Sequence, residues 1–205
     1  YKDSKILIVG GGPTTNTVDW DPNNYDHIWS CNHFFLNEKM QKVDVSLMRV
    51  GAEVDLSSEN EKLHDYLKAN STLCCFEDND DIPQETIKKM AEEYPNRVFY
   101  SHTRYRSKIG VVPRLLCMAV LMGAKEISVI GMDGLQPADK EGQPAAHSFE
   151  EEKLLAGTVN YDVYRRHYVM LWDYLINDLK EYNVKFKNLG CLLYTSDAAD
   201  DLLCV

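Results

Sequence analysis

Three consecutive glycines, Gly10, Gly11 and Gly12, stand directly before Pro13 and Thr14. Glycine lets a backbone turn sharply and come close to a ligand. Backbone amides in such a turn, with the Thr14 hydroxyl beside them, are suited to hold a phosphate. Asn32 follows a second apolar run, in Ser30-Cys-Asn-His-Phe34. Its amide both donates and accepts, which suits a ribose or base edge, or else caps a turn. Arg106 and Lys108 precede a helix start near Pro113, where cations and amides can share one anion. Each of the two alone also fits a solvated surface. Asp133, in Gly131-Met-Asp-Gly134, could hold a hydroxyl or orient a catalytic partner. His147 lies in a loop rich in Pro, Gly, Ala and charge, which suggests a mobile lid, and it can act as a base near neutral pH. Its neighbour Ser148 could instead simply cap a helix.

The elements that must position these residues are legible as runs. Ile6–Val9, four apolar residues, is apolar enough for a buried parallel strand. Further strand-like runs are Asp26–Cys31, Val43–Arg49, Thr72–Phe76, Arg97–Tyr100, Glu126–Ile130 and Val184–Phe186. Asp81 and Pro83 open a helix reaching about Tyr94, and Pro113 opens one that ends at Gly123. A third is expected over Asn160 to Tyr182, its apolar stripe being Tyr164, Tyr168, Leu171, Trp172, Leu175, Leu179 and Tyr182. Strands alternating with helices imply an α/β fold: a doubly wound, mostly parallel Rossmann-type sheet with helices on both faces. Such sheets bind ligands beyond the carboxyl ends of their strands, where the residues named above fall. Residues 1–190 read as one nucleotide-binding domain. The glycine pattern is imperfect, because a dinucleotide fingerprint needs a third glycine where Thr15 stands, and no Walker loop is present.

The 205-residue chain carries 32 acidic and 22 basic residues, a formal net charge of -10. That balance, without a long basic run, argues against extended nucleic-acid binding. A small anionic ligand remains compatible with it. No stretch is apolar enough to cross a membrane and no signal peptide is visible, so a cytoplasmic setting is expected. The cysteines Cys31, Cys74, Cys75, Cys117, Cys191 and Cys204 include no C-x-x-C pair, so reduced thiols rather than a zinc ribbon are expected. The chain begins at Tyr1, not Met. Residues 191–205 break with the preceding sequence and resemble translated sequencing adapter; a different natural continuation after Gly190 is expected.

Three blocks carry a family resemblance: Val-Gly-Gly-Gly-Pro-Thr14, Cys-Asn-His-Phe34, and Met118 to Asp133 (Met-Ala-Val-Leu-Met-Gly-Ala-Lys-Glu-Ile-Ser-Val-Ile-Gly-Met-Asp). With them the chain resembles the bacterial sialyltransferases of glycosyltransferase family 42 over about residues 5 to 190. It is also similar to the related MptE-like, pterin pyrophosphokinase-like Rossmann proteins. The sialyltransferase resemblance implies that Gly10 to Thr14 and Asn32 contact the nucleotide and that a lid histidine, here His147, is general base. It further implies that Lys108, or alternatively Arg106, helps the phosphate leave. No metal or other cofactor is implied. Two departures stand out. Gly134-Leu-Gln-Pro137 lacks the family's tyrosines, and Ile-Gly-Val-Val-Pro113 replaces its Ser/Thr-Ser-Gly helix entry. Both bear on leaving-group chemistry, so the donor could differ from CMP-sialic acid.

The sequence therefore leads to a glycosyltransferase with a nucleotide-sugar donor and a glycan or other hydroxyl acceptor. Self-association is left open. The alternatives are a pterin pyrophosphokinase-like phosphoryl transferase, needing ATP and a divalent ion with Asp133 as ligand, and a non-catalytic nucleotide-binding module.

Overall fold

The structure is a computed structural model that describes residues 1–49, 54–77, 84–103, 105, 110–133 and 161–190. Its strands are β1 (Lys5–Val9), β2 (His27–Cys31), β3 (Val45–Met48), β4 (Leu73–Glu77), β5 (Val98–Ser101), β6 (Glu126–Ile130) and β7 (Lys185–Asn188). All seven expected runs become strands, with ends shifted by at most two residues. They form one sheet in the order β5-β4-β3-β2-β1-β6-β7, every pair parallel. The chain winds outward from β1 to β5, then returns to add β6 and β7 on the other side of β1. Strand order thus reverses between β1 and β6, the place where open α/β sheets form a ligand crevice.

The helices are α1 (Thr14–Thr17), α2 (Glu61–Ala69), α3 (Gln84–Glu93), α4 (Val112–Leu121) and α5 (Tyr161–Asp173). Alternate residues of the strands enter two separate apolar clusters. Ile6, Ile8 and Trp29 pack with Leu115 and Leu116 of α4 and Leu171 of α5. Leu7, Val9 and Ile28 pack with Leu63 and Leu67 of α2 and Ile87 of α3. Cys31, Cys74, Cys75 and Cys117 are buried and form no disulfide, consistent with small core residues. Burial raises the thiols of Cys74 and Cys117 to about 12.

Sequence periodicity misses α2. Asn60 caps it by accepting from the Leu63 N–H, and its inward face includes the polar His64, 6% exposed. His64 is satisfied there by Tyr94 Oη at 2.8 Å on Nδ1 and by the Ser57 carbonyl at 3.2 Å on Nε2. The long third helix is also corrected. After Asp173 it widens to a π-turn, Tyr174–Asp178, and ends in a 3₁₀ turn, Lys180–Tyr182. Tyr105 stacks on Tyr174 beside that π-turn. Change of helical pitch alters the phase of the stripe, so Tyr182 ends 40% exposed while Tyr168, Leu171, Trp172, Leu175 and Leu179 stay buried.

Leu116 is fully buried between α4 and the sheet. Leu116→Ala is expected to lower unfolding free energy by about 2–5 kcal/mol in urea titrations; a change under about 1 kcal/mol would contradict this packing.

Candidate functional site

All seven strands point the same way, so the residues after their carboxyl ends share one rim. The glycine turn follows β1, Asn32 follows β2, and Asp133 follows β6, the two strands that flank β1. Gly10 N–H donates to the Ile130 carbonyl (2.7 Å), and Gly12 N–H donates to the Gly131 carbonyl (2.9 Å). A Cβ on Gly10 would collide with the Gly131 carbonyl, and one on Gly12 with the Asp133 carboxylate. Gly131 itself has φ +73°, and a Cβ there would strike the Thr15 hydroxyl. These glycines are demanded by the close approach of two backbone turns.

Asp133 closes that approach. Its Oδ2 accepts from the Thr14 N–H at 2.8 Å, and its Oδ1 accepts from the Thr14 hydroxyl. The same hydroxyl accepts from the Gly131 N–H at 3.0 Å. Thr15 Oγ1 donates to the Gly10 carbonyl at 2.9 Å. Thr14 and Thr15 are fully buried. A carboxylate at the first turn of α1 also meets the positive end of the local backbone dipoles. Burial raises the Asp133 pKa above 3.8, and the two Thr14 hydrogen bonds oppose that rise. Gly190, beyond β7, lies against the Thr14 hydroxyl and the Asp133 Oδ1. Its N–H donates to Asn188 Oδ1 at 3.1 Å, and Asn188 Nδ2 donates to Tyr168 Oη at 3.3 Å. The end of β7 and α5 are thereby tied to the same lock.

The lock leaves less of the turn for a ligand than the sequence suggests. The amides of Gly10, Gly12 and Thr14 are engaged, and Pro13 has none. Among the described residues, only the Gly11 N–H of this turn lacks a partner. Asn32 is also partly committed. It adopts φ +47°, a left-handed conformation that asparagine tolerates. Its N–H donates to the Leu47 carbonyl at 3.2 Å, and its Oδ1 accepts from the Arg49 N–H at 3.0 Å. Asn32 Nδ2 is left without a partner among the described residues, and the side chain is half-buried. Asn32 thus pins the exit of β3 while presenting one donor at the rim.

His147, Lys108 and Arg106 lie outside the described residues, so the geometry covers Gly10, Gly11, Gly12, Pro13, Thr14, Asn32 and Asp133. Among the described residues no group of three His, Cys, Asp or Glu could hold a metal ion, and no helix is long and apolar enough to cross a membrane. Motif reasoning passed over three charged residues at this rim. Arg114, in the first turns of α4, forms an ion pair with Glu77 at the end of β4. Arg49 follows β3. Their signal was positional: each sits at a strand end or beside a helix start. His167 lies on α5. Its Nδ1 is buried with no hydrogen-bond partner among the described residues, and its carbonyl accepts from Tyr105 Oη at 3.0 Å.

No family model, curated protein or solved structure matches the chain.

Because burial raises the Asp133 pKa in the folded state, folding favours its protonated form relative to the unfolded chain. Its contribution to stability is present below the unfolded value and is lost as pH rises through the folded value. The urea midpoint of the wild type relative to Asp133→Asn is therefore expected to fall as pH rises from below 3.8 through the raised pKa. A pH-independent difference between the two proteins would contradict a half-buried, titrating Asp133.

Proposed function

We propose that the protein is a nucleotide-binding transferase, most concretely a glycosyltransferase that moves a sugar from a nucleotide-activated donor to a hydroxyl acceptor. The observation that supports it is the rim: a pre-shaped glycine turn at the β1/β6 reversal with the Asn32 donor on the adjoining strand end. The nucleotide lies along that rim, its phosphate near the Gly11 amide and its ribose or base near Asn32 Nδ2. One free amide is a thin phosphate cradle, so side-chain cations carry more of the charge, with Lys108 foremost and Arg106 as its alternative.

In the reaction the acceptor oxygen bonds to the anomeric carbon. The bond from that carbon to the phosphate oxygen breaks, and the nucleotide leaves with the electron pair. The acceptor proton passes to His147. Lys108 stabilises the leaving phosphate, and Asp133 acts through Thr14 by holding the turn. Positioning and charge stabilisation supply most of the acceleration. CMP-sialic acid or a related sugar is the donor that the family resemblance favours.

Thermal shifts with CMP, UDP, GDP, ATP and NAD test the reading, since a ligand selective for the folded state raises its stability by RT ln(1 + [L]/Kd). A cytidine nucleotide is expected to stabilise most. Stabilisation by NAD alone, or by none of the five, contradicts it. Stabilisation by ATP that requires a divalent ion points instead to phosphoryl transfer. His147→Ala is expected to lower turnover about 10²–10⁴-fold with little change in nucleotide affinity. His167 is the competing base because of its unpartnered Nδ1. His167→Ala, measured beside His147→Ala, decides between them: the base is the residue whose loss lowers kcat and leaves nucleotide binding intact.

A further inference from the structure

Successive strand ends place Gly10, Asn32, Arg49 and Glu77 along the rim in the order β1, β2, β3, β4. Neighbouring strands are about 4.8 Å apart, so Arg49 stands roughly two spacings from the glycine turn. Its backbone is fixed by the Asn32 side chain, while its side chain is exposed and makes no ion pair among the described residues. Arg114 reaches the same place from α4, whose Val112 lies against Gly10. Arg114 is largely buried and pairs with Glu77. Arg49 is close enough that its charge adds to burial in lowering the Arg114 pKa. Among the described residues the group therefore holds two guanidiniums and one carboxylate, a net positive set on a chain of net charge -10. Glu77 neutralises and orients the largely buried Arg114, and Arg49 is left without an ion-pair partner among the described residues.

We propose that Arg49, backed by the Arg114–Glu77 pair, forms a second oxyanion-binding subsite at the ends of β3 and β4. It takes a phosphate or carboxylate on the far part of the ligand whose first anionic group lies at the glycine turn. Guanidinium binds both oxyanions through paired N–H donors, and the thin cradle at Gly11 makes such a second anchor useful. The assignment of both ends to one ligand rests on the nucleotide reading above; the subsite itself does not.

The test is anion-dependent thermal stabilisation at constant ionic strength, with inorganic phosphate and acetate as separate probes, on the wild type, Arg49→Ala and Arg49→Lys. Arg49 is exposed, so Arg49→Ala is expected to fold with an unchanged melting temperature in chloride. In the wild type, phosphate stabilises, and the concentration for half the effect rises at least fivefold in Arg49→Ala. Arg49→Lys restores part of the loss. A parallel Arg49-dependent response to acetate assigns the subsite to carboxylates as well; its absence assigns it to phosphate. An identical phosphate response in the wild type and Arg49→Ala overturns the subsite, even if nucleotides bind. An Arg49-dependent phosphate response in a protein that binds no nucleotide keeps the subsite and overturns the transferase reading.

Discussion

One half-buried carboxylate holds the crevice together. Asp133 accepts both the N–H and the hydroxyl of Thr14, and the hydroxyl in turn accepts from Gly131. Removing a partner from such a buried set strands polar groups at about 1–3 kcal/mol each. The turn after β1 and the turn after β6 are therefore one object. Its tightness explains why Gly10, Gly12 and Gly131 have no room for a side chain. The shape of the turn exists before any ligand arrives, and that preorganisation is what a nucleotide site needs. It also has a consequence for charge. A carboxylate beside a phosphate would repel it, and the donors from Thr14 absorb part of that negative charge.

The parallel sheet then fixes what lies beside the lock. Since every strand ends at the same rim, chemistry on β2, β3 and β4 is brought alongside the glycine turn without any long-range contact. Asn32 links two of those ends, through its backbone to Leu47 and through its side chain to Arg49. Among the described residues, Arg49 and Arg114 meet here although the chain as a whole is strongly acidic. Local potential, rather than net charge, governs which small ligand is drawn to a cleft.

The sheet was legible because buried parallel strands are short apolar runs, and Lys5–Val9 and Glu126–Ile130 are clear examples. The α2 helix was not, because its buried face carries His64 as well as leucines, and the hydrogen bonds that pay for its burial come from Tyr94 and Ser57, distant or irregular in sequence. The π-turn at Tyr174–Asp178 has no motif, so Tyr182 looked like part of the stripe. At the site, the glycine turn, Asn32 and Asp133 could be read from their places after strands. The Thr14–Asp133 lock could not, since it joins residues far apart in sequence. Arg49 was absorbed into the end of a strand drawn too long, and Glu77 fell one residue past a strand drawn too short. Both errors hid the pair that meets Arg114.

The most direct test is an amide NMR titration of the ¹⁵N-labelled protein with cytidine 5′-monophosphate. If the rim is the nucleotide site, the largest shifts fall on Gly11 and its neighbours and on the Asn32 side-chain amide, with smaller ones at Met132 and Asp133. Shifts confined to the opposite, amino edge of the sheet, or an unperturbed Gly11 at saturating nucleotide, would contradict the account.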